Sequence, residues 1–450
     1  MAESRCRDTL RPIDPMKRWR TLVAILFGGM VLGGLLLFSR SDPFRLVLPD
    51  GRVLTLVGVQ TGVEHYAPMG GWRQRLARRL PVTWNRWLKI TPPPQTRYRS
   101  TNYLSVWLLV EGTNHSSATT FSPYQPPFEL LLGDEDGSFT CHAEHNGSAV
   151  EVALGPGRSL IGLPVAAWPR RAETIDIQVF PRWNNGKPLA VYRVKNPSRD
   201  LKTPPWAASP WPITVTNEDM EFTLTSLWLG LSHPPAGSNT LVVTRNPKDR
   251  MTRATFRVTR GGEWLTNWNA YHVRTIEDAT GNWSDGNSFI SGMWNGETFN
   301  QFGRPPLPAR EAWRMKVEFS RLSGFETGEL VEVRGVSVPP NGAGGSQTND
   351  FGSNKIEFRW EPVRTGSSEP PGFWATVRPA KNDYKLTLLS ARDNQGREVR
   401  CKNPGGGQSV TMATLELQPD AKSVDLVFAF HASRIVTFQA KPEFYRPQTH

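Results

Sequence analysis

The sequence predicts an all-β protein: tandem antiparallel β-sandwich domains following an N-terminal transmembrane helix and a short amphipathic helical segment. Three observations carry that expectation. Period-two alternation runs through IDIQVF at 175–180, RMKVEFSR at 314–321 and VDLVFAF at 424–430. It places Ile175, Ile177 and Val179, then Val317 with Phe319, then Val424, Leu426, Phe428 and Phe430, each on one dry face. Each run follows, 28 to 38 residues on, an acidic glycine-containing turn: FELLLGDEDG at 128–137, YHVRTIEDATG at 271–281 and YKLTLLSARDNQG at 384–396. The chain also holds 38 prolines, which suit loops and edge strands and break long helices. The recurrence reads as an internal repeat, too long for a solenoid unit, and so as three similar sandwiches in tandem.

Taken in order, residues 1–20 are a cytoplasmic basic tail with Arg5, Arg7, Arg11, Lys17, Arg18 and Arg20 against Glu3, Asp8 and Asp14. Thr21 to Phe38 is then free of charge, and as a helix it covers about 27 Å, the lower edge of what a bilayer core requires. Residues 21–39 are read as a transmembrane signal anchor. No small-residue cleavage site follows it, and the positive-inside rule sends the C-terminal body across the membrane.

Residues 42–200 form the first sandwich, opening on the hairpin FRLVLPDGRVLTLVGV. Inside it, residues 72–90 alternate Trp72, Leu76 and Leu80 with arginines at helical spacing. They predict a basic amphipathic helix, suited either to the headgroup layer or to the flank of the first sandwich. Residues 201–340 form the second sandwich, entered through the proline-rich KTPPWAASPWP at 202–212. Residues 341–353 have flexible-linker chemistry, and 354–445 form the third sandwich. In each unit a further strand is expected to close the sheet: AVYRVKNP, LVEVRGVSVP and IVTFQAKP respectively. In strand density the units resemble immunoglobulin-like and fibronectin-like sandwiches, a likeness of fold that implies no function.

The formal charge of +12 is uneven. Residues 1–100 hold 17 Lys and Arg against 6 Asp and Glu, and the remaining 350 are close to neutral at 36 against 35. The basic character therefore faces membrane lipid through the anchor and the basic helix, and a nucleic-acid surface is not expected. Cys6, Cys141 and Cys401 are too few for a disulfide scaffold, and Cys141 and Cys401 are read as buried free thiols.

No catalytic residue, metal or cofactor is assigned. There is no nucleophile elbow, phosphate loop or zincin spacing. Asp134 and Asp136 resemble the middle of a calcium loop but lack the further oxygen ligands. They read more simply as a turn in which Asp bonds its own backbone. The chemistry-bearing stretch is 264–294, where Trp264, Trp268, Trp283 and Trp294 interleave with Asn and Asp, Asp285 among them. Flat aromatic faces stack on sugar C–H faces while amides and carboxylates bond hydroxyls. Trp283 and Trp294, set among turn residues, are the first choices.

The expected function is a membrane-anchored, extracytoplasmic binding or structural module of the cell envelope, with the N-terminus cytoplasmic and with glycan contact through the second sandwich. The alternatives are a scaffold for other envelope proteins and a carboxylate-dependent glycoside hydrolase.

Overall fold

The structure is a computed structural model. It describes residues 44–61, 64–66, 95–97, 103–112, 128–135, 140–142, 150–155, 157–181, 187–198, 203–232, 242–243, 251–284, 290–302, 307–339, 344–351, 354–361, 372–378, 380, 383–407 and 409–444. The expected tail, the span at 21–39, the basic helix at 72–90, Asp136 and Asp285 lie outside the described residues. Among those described the chain is all-β and its strands pair antiparallel, except that the short Glu443–Phe444 strand runs parallel to Trp228 and Leu229, with one 3-10 turn at Thr327–Glu329. No helix among them is long and apolar enough to cross a membrane.

The first sandwich contains β1 (Arg45–Val47), β2 (Val53–Thr61), β3 (Glu64–Tyr66), β4 (Gln95–Arg97), β5 (Leu104–Glu111), β6 (Phe128–Gly133), β7 (Thr140–His142), β8 (Val150–Gly155), β9 (Arg158–Val165), β10 (Thr174–Pro181) and β11 (Ala190–Lys195). One sheet runs β1-β2-β5-β9-β8, the other β11-β10-β6-β7, and β3 pairs with β4 apart from both. Leu54, Val106, Leu108 and Ile161 meet Leu130, Leu132, Ile175 and Ile177 in the core between them. The alternation read at 175–180 thus gives the buried face of β10. On the other face of β5 and β9, Trp107, Leu109 and Leu160 form a second buried cluster, so β5 is covered on both sides.

The second sandwich begins with β12 (Ile213–Asn217), β13 (Met220–Ser232), β14 (Val242–Val243), β15 (Met251–Arg260), β16 (Glu263–Trp264), β17 (Trp268–Asp278), β18 (Trp283–Ser284), β19 (Ile290–Trp294), β20 (Glu297–Phe302) and β21 (Trp313–Arg321). The third contains β22 (Leu330–Ser337), β23 (Gly345–Phe351), β24 (Asn354–Trp360), β25 (Gly372–Arg378), β26 (Tyr384–Asp393), β27 (Arg400–Gly407), β28 (Val410–Glu416) and β29 (Ser423–Ala432). The chain then returns to the second sandwich with β30 (Arg434–Ala440) and β31 (Glu443–Phe444).

That return corrects the sequence reading. The strand LVEVRGVSVP, expected to close the second unit, is β22 and pairs with β29 of the third. The strand IVTFQAKP, expected to close the third, is β30 and pairs with β21 of the second. The two units have exchanged closing strands, and the third is inserted into the second. Val436, Phe438 and Ala440 therefore fill the second core beside Phe222, Phe256 and Phe319. Alternation states which residues face a core but not whose core it is.

The expected linker at 341–353 is corrected too. Its middle is β23, an edge strand in register with β24 from Gly345↔Trp360 to Phe351↔Asn354. Gln347 amide bonds to Asn349 and to the Ser337 N–H stand where apolar alternation would mark a strand, so composition alone hides it. Cys401 in β27 is a free, part-buried thiol.

The acidic turns of the second and third units are one structure. Asp278 Oδ1 accepts from the N–H groups of Thr280 and Asn282, and Asp393 Oδ1 from those of Gln395 and Arg397. Gly281 and Gly396 sit at φ 85° and 78°, which only glycine takes without strain. Each carboxylate is used by its own turn, the geometry of an Asx turn. Asp393→Ala leaves two backbone donors without their acceptor, and the expected result is an earlier thermal transition of the third sandwich.

Like ends of the units meet. The 164–173 and 305–314 segments, similar in sequence, touch through Arg171 Nε donating to Glu311 Oε1 at 2.6 Å. Beside them Trp168 and Asn282 exchange two hydrogen bonds, and Arg170 donates to Asn282 Oδ1, Thr280 O and Gly281 O. Burial draws the Arg170 guanidinium down to about 10, against the pull of Asp278. At the opposite end of the second sandwich, Lys385 Nζ of the third lies 2.8 Å above the Tyr271 ring centroid. There Phe325 packs on His431 and Arg321 pairs with Glu329.

Candidate functional site

The larger sheet of the second sandwich runs β12-β13-β15-β20-β19, with β14 and β31 on β13 and β16 on β15. Along β15, Ala254, Phe256 and Val258 point into the core. The period of two therefore sends Arg253, Thr255, Arg257 and Thr259 to the outer face. Register completes that face in rows: Trp228↔Arg253↔Gln301, Ser226↔Thr255↔Phe299↔Gly292, and Glu221↔Thr259↔Trp264.

Aromatic and guanidinium groups alternate across these rows. Arg253 Cζ lies 3.9 Å from the Phe299 centroid and Arg257 Cζ 4.8 Å from that of Trp264, both within cation–π range. Two glycines let the rings come down onto the backbone. A Cβ on Gly292 would approach Phe299 to 3.0 Å, and one on Gly296 would approach Trp264 to 2.9 Å. Gly296 also follows Asn295 in a turn where both have positive φ. Arg257 pairs with Glu297 at 3.0 Å, and Thr259 Oγ1 donates to Glu221 at 3.1 Å. Below the face, Asn300 Nδ2 donates to Ala270 O and Thr298 Oγ1 accepts from the Ala270 N–H. These buried bonds fix β20 against the opposite sheet.

Arg253 differs from Arg257. Among the described residues it makes no hydrogen bond and no ion pair, although Glu297 lies within electrostatic reach. Burial holds its pKa below the usual guanidinium range, with Glu297 pulling the other way.

The four tryptophans read from sequence divide three ways. Trp264 is 44% exposed on the outer face, and the Trp294 backbone pairs with Glu297 in the same sheet. Trp283 is part-exposed but belongs to β18, in the opposite sheet beside Glu277. Trp268 is 6% exposed and packs edge-on against Phe222, so it is a core residue and is withdrawn as a ligand contact. The split arises because the chain leaves the larger sheet after β16, runs through β17 and β18 in the opposite sheet, and returns with β19. Asn282, first residue of a glycosylation sequon, is fully buried in the junction with the first sandwich. The sequence reading missed Trp228, Arg253, Phe299 and Glu297. The one signal available was the alternation of Arg and Thr in TRATFRVT at 252–259.

Asp134, the remaining metal candidate within the described residues, is buried at 8% exposure. No group of three metal-ligating side chains occurs among the described residues. No protein-family model matches the chain, and no curated protein matches it at a significant level.

Proposed function

We propose that the protein is an extracytoplasmic binding module of the cell envelope, made of immunoglobulin-like sandwiches held behind an N-terminal membrane anchor, and that its second sandwich contacts glycan. The observation that supports this most is the outer face around Trp264, where an exposed indole stands in register with Thr259 and Glu221 and beside the Arg257–Glu297 pair. A sugar needs an apolar plane and hydrogen-bonding groups side by side, and this face offers both on a strand-borne, rigid platform. The uncharged stretch at 21–39 and the basic residues up to about 90 are assigned to the membrane and its anionic lipid.

The test is retention of the full chain, in detergent micelles, on peptidoglycan and on neutral polysaccharide. Trp264→Ala is expected to weaken retention about tenfold, about 1.4 kcal/mol, with an unchanged thermal transition. Trp268→Ala, by contrast, is expected to lower the transition itself by removing a core side chain. Equal retention of Trp264→Ala and the native chain would remove the reading. Co-purifying envelope proteins without any glycan retention would favour the scaffold instead.

A further inference from the structure

We propose that the glycan taken by this face is an acidic one, whose carboxylate is received by Arg253 while its ring lies toward Trp228. The inference rests on the glycan reading above and specifies its chemistry. Arginine is the residue suited to planar, two-pronged recognition of a carboxylate. In proteins a partly buried guanidinium is ordinarily paired, because removing its water without a counter-charge is costly. Arg274 follows that rule through Glu318, and Arg321 through Glu329. Arg253 does not: it is part-buried, stacked on Phe299, and without an acceptor among the described residues.

The neighbours fit the same ligand. Stacking on Phe299 holds the guanidinium plane while leaving its N–H edge for an anion. In the same cross-strand row Trp228 is part-exposed and supplies an aromatic surface. On the other side Gln301 spends an amide N–H on the Met251 sulfur at 3.4 Å, a weak acceptor. Glu297 is hydrogen-bonded to Arg257 and reaches Arg253 only through space, so the row holds a positive charge with no hydrogen-bonded counter-ion among the described residues, between an aromatic ring and an amide. A neutral sugar would leave that charge as it is, and an acidic sugar neutralises it.

The experiment uses the full chain in detergent micelles and three immobilised polymers: polygalacturonate, the same polymer with its carboxyls reduced to alcohols, and polyphosphate. Polygalacturonate is expected to bind at least tenfold tighter than its reduced form. Arg253→Met should abolish the difference, and Arg253→Lys should leave a fraction of it, since lysine keeps the charge without the fork. Trp264→Ala should weaken both sugar polymers alike, and unchanged melting of each variant establishes that the fold is intact. Equal binding of the two sugar polymers by the native chain, still lowered by Trp264→Ala, overturns the acidic-sugar inference and leaves the glycan reading standing. A preference for the carboxylate that survives in Arg253→Met also overturns it. Retention on polyphosphate alone, or on none of the three, overturns both.

Discussion

Arg170→Met is expected to uncouple the first sandwich from the second and to weaken their junction by about 3 kcal/mol. The guanidinium is buried and donates to Asn282 Oδ1 at 2.7 Å, Thr280 O at 3.1 Å and Gly281 O at 3.3 Å, while lying 3.7 Å from the Trp168 ring centroid. Methionine fills the stem but leaves three acceptors facing a dry contact. Asn282 then keeps its bonds to Trp168, and the Asp278 turn remains, so neither sandwich need unfold by itself. Because the protein has several sandwiches, the readout is the shape of the transition and not a single free energy. Calorimetry of the native chain should show the first and second sandwiches melting together, and the variant should show them apart. Arg171→Met is the milder control, since Arg171 is partly solvated and, among the described residues, holds one partner, Glu311. Identical traces for Arg170→Met and the native chain would contradict this account of the junction.

Acidification from pH 6.5 towards 4 is expected to weaken the third sandwich where it meets the second. His431 is fully buried in β29, its Nε2 has no hydrogen-bond partner among the described residues, and its ring packs 4.9 Å from Phe325. Burial lowers its pKa from 6.5 to about 4, with the Ala432 carbonyl raising it, Arg321 lowering it, Glu329 raising it and Lys385 lowering it. A base whose folded value is depressed takes its proton later than the unfolded chain does. Stability is therefore flat above 6.5, falls as pH drops from 6.5 to about 4, and is flat again below. Lys385, directly opposite His431 across β26 and β29, adds a second stage at higher pH. Burial draws it from 10.5 to about 7, against the pull of Glu318, so stability falls between 10.5 and 7 in the same sense. Around these two stand Tyr271 of β17, Glu318 and Arg321 of β21, and Glu329. The acid stage should cost about 2 kcal/mol after allowance for solvent screening, measured as the urea midpoint of the full chain at pH 7 and pH 4.5. His431→Phe keeps the ring and removes the proton, and it should lose much less over that interval. An equal loss in the variant would place the acid response elsewhere.

The parts of the fold that were legible in the sequence are those set by neighbours in the chain. Ile175, Ile177, Val179, Val317, Phe319, Val424, Leu426 and Phe428 are all fully buried, as strict alternation requires. The turns at Asp278 and Asp393 were legible for the same reason, since their acceptors and donors lie within four residues. What depends on distant pairing was not. β22 and β30 look alike in sequence, and only the competing cores decide which sheet receives each. The candidate face shows the same limit: Trp264 stands out in a run of Trp and Asn, yet Trp268 in the same run is core. Arg253, Phe299 and Trp228 become neighbours only through the register of three strands whose residues lie tens of positions apart.

The exchanged closing strands also dictate an order of events during synthesis. β30 pairs with β21 across more than a hundred intervening residues, so the second sandwich lacks the edge strand next to β21, and the side chains of Val436 and Phe438, until the whole third sandwich has been made. The nascent chain must hold an incomplete second core, with Phe256 and Phe319 uncovered on one side, while the inserted unit folds beneath it. Chains truncated anywhere between β22 and β30 would retain that opening, a sticky intermediate of the sort that recruits chaperones or proteases.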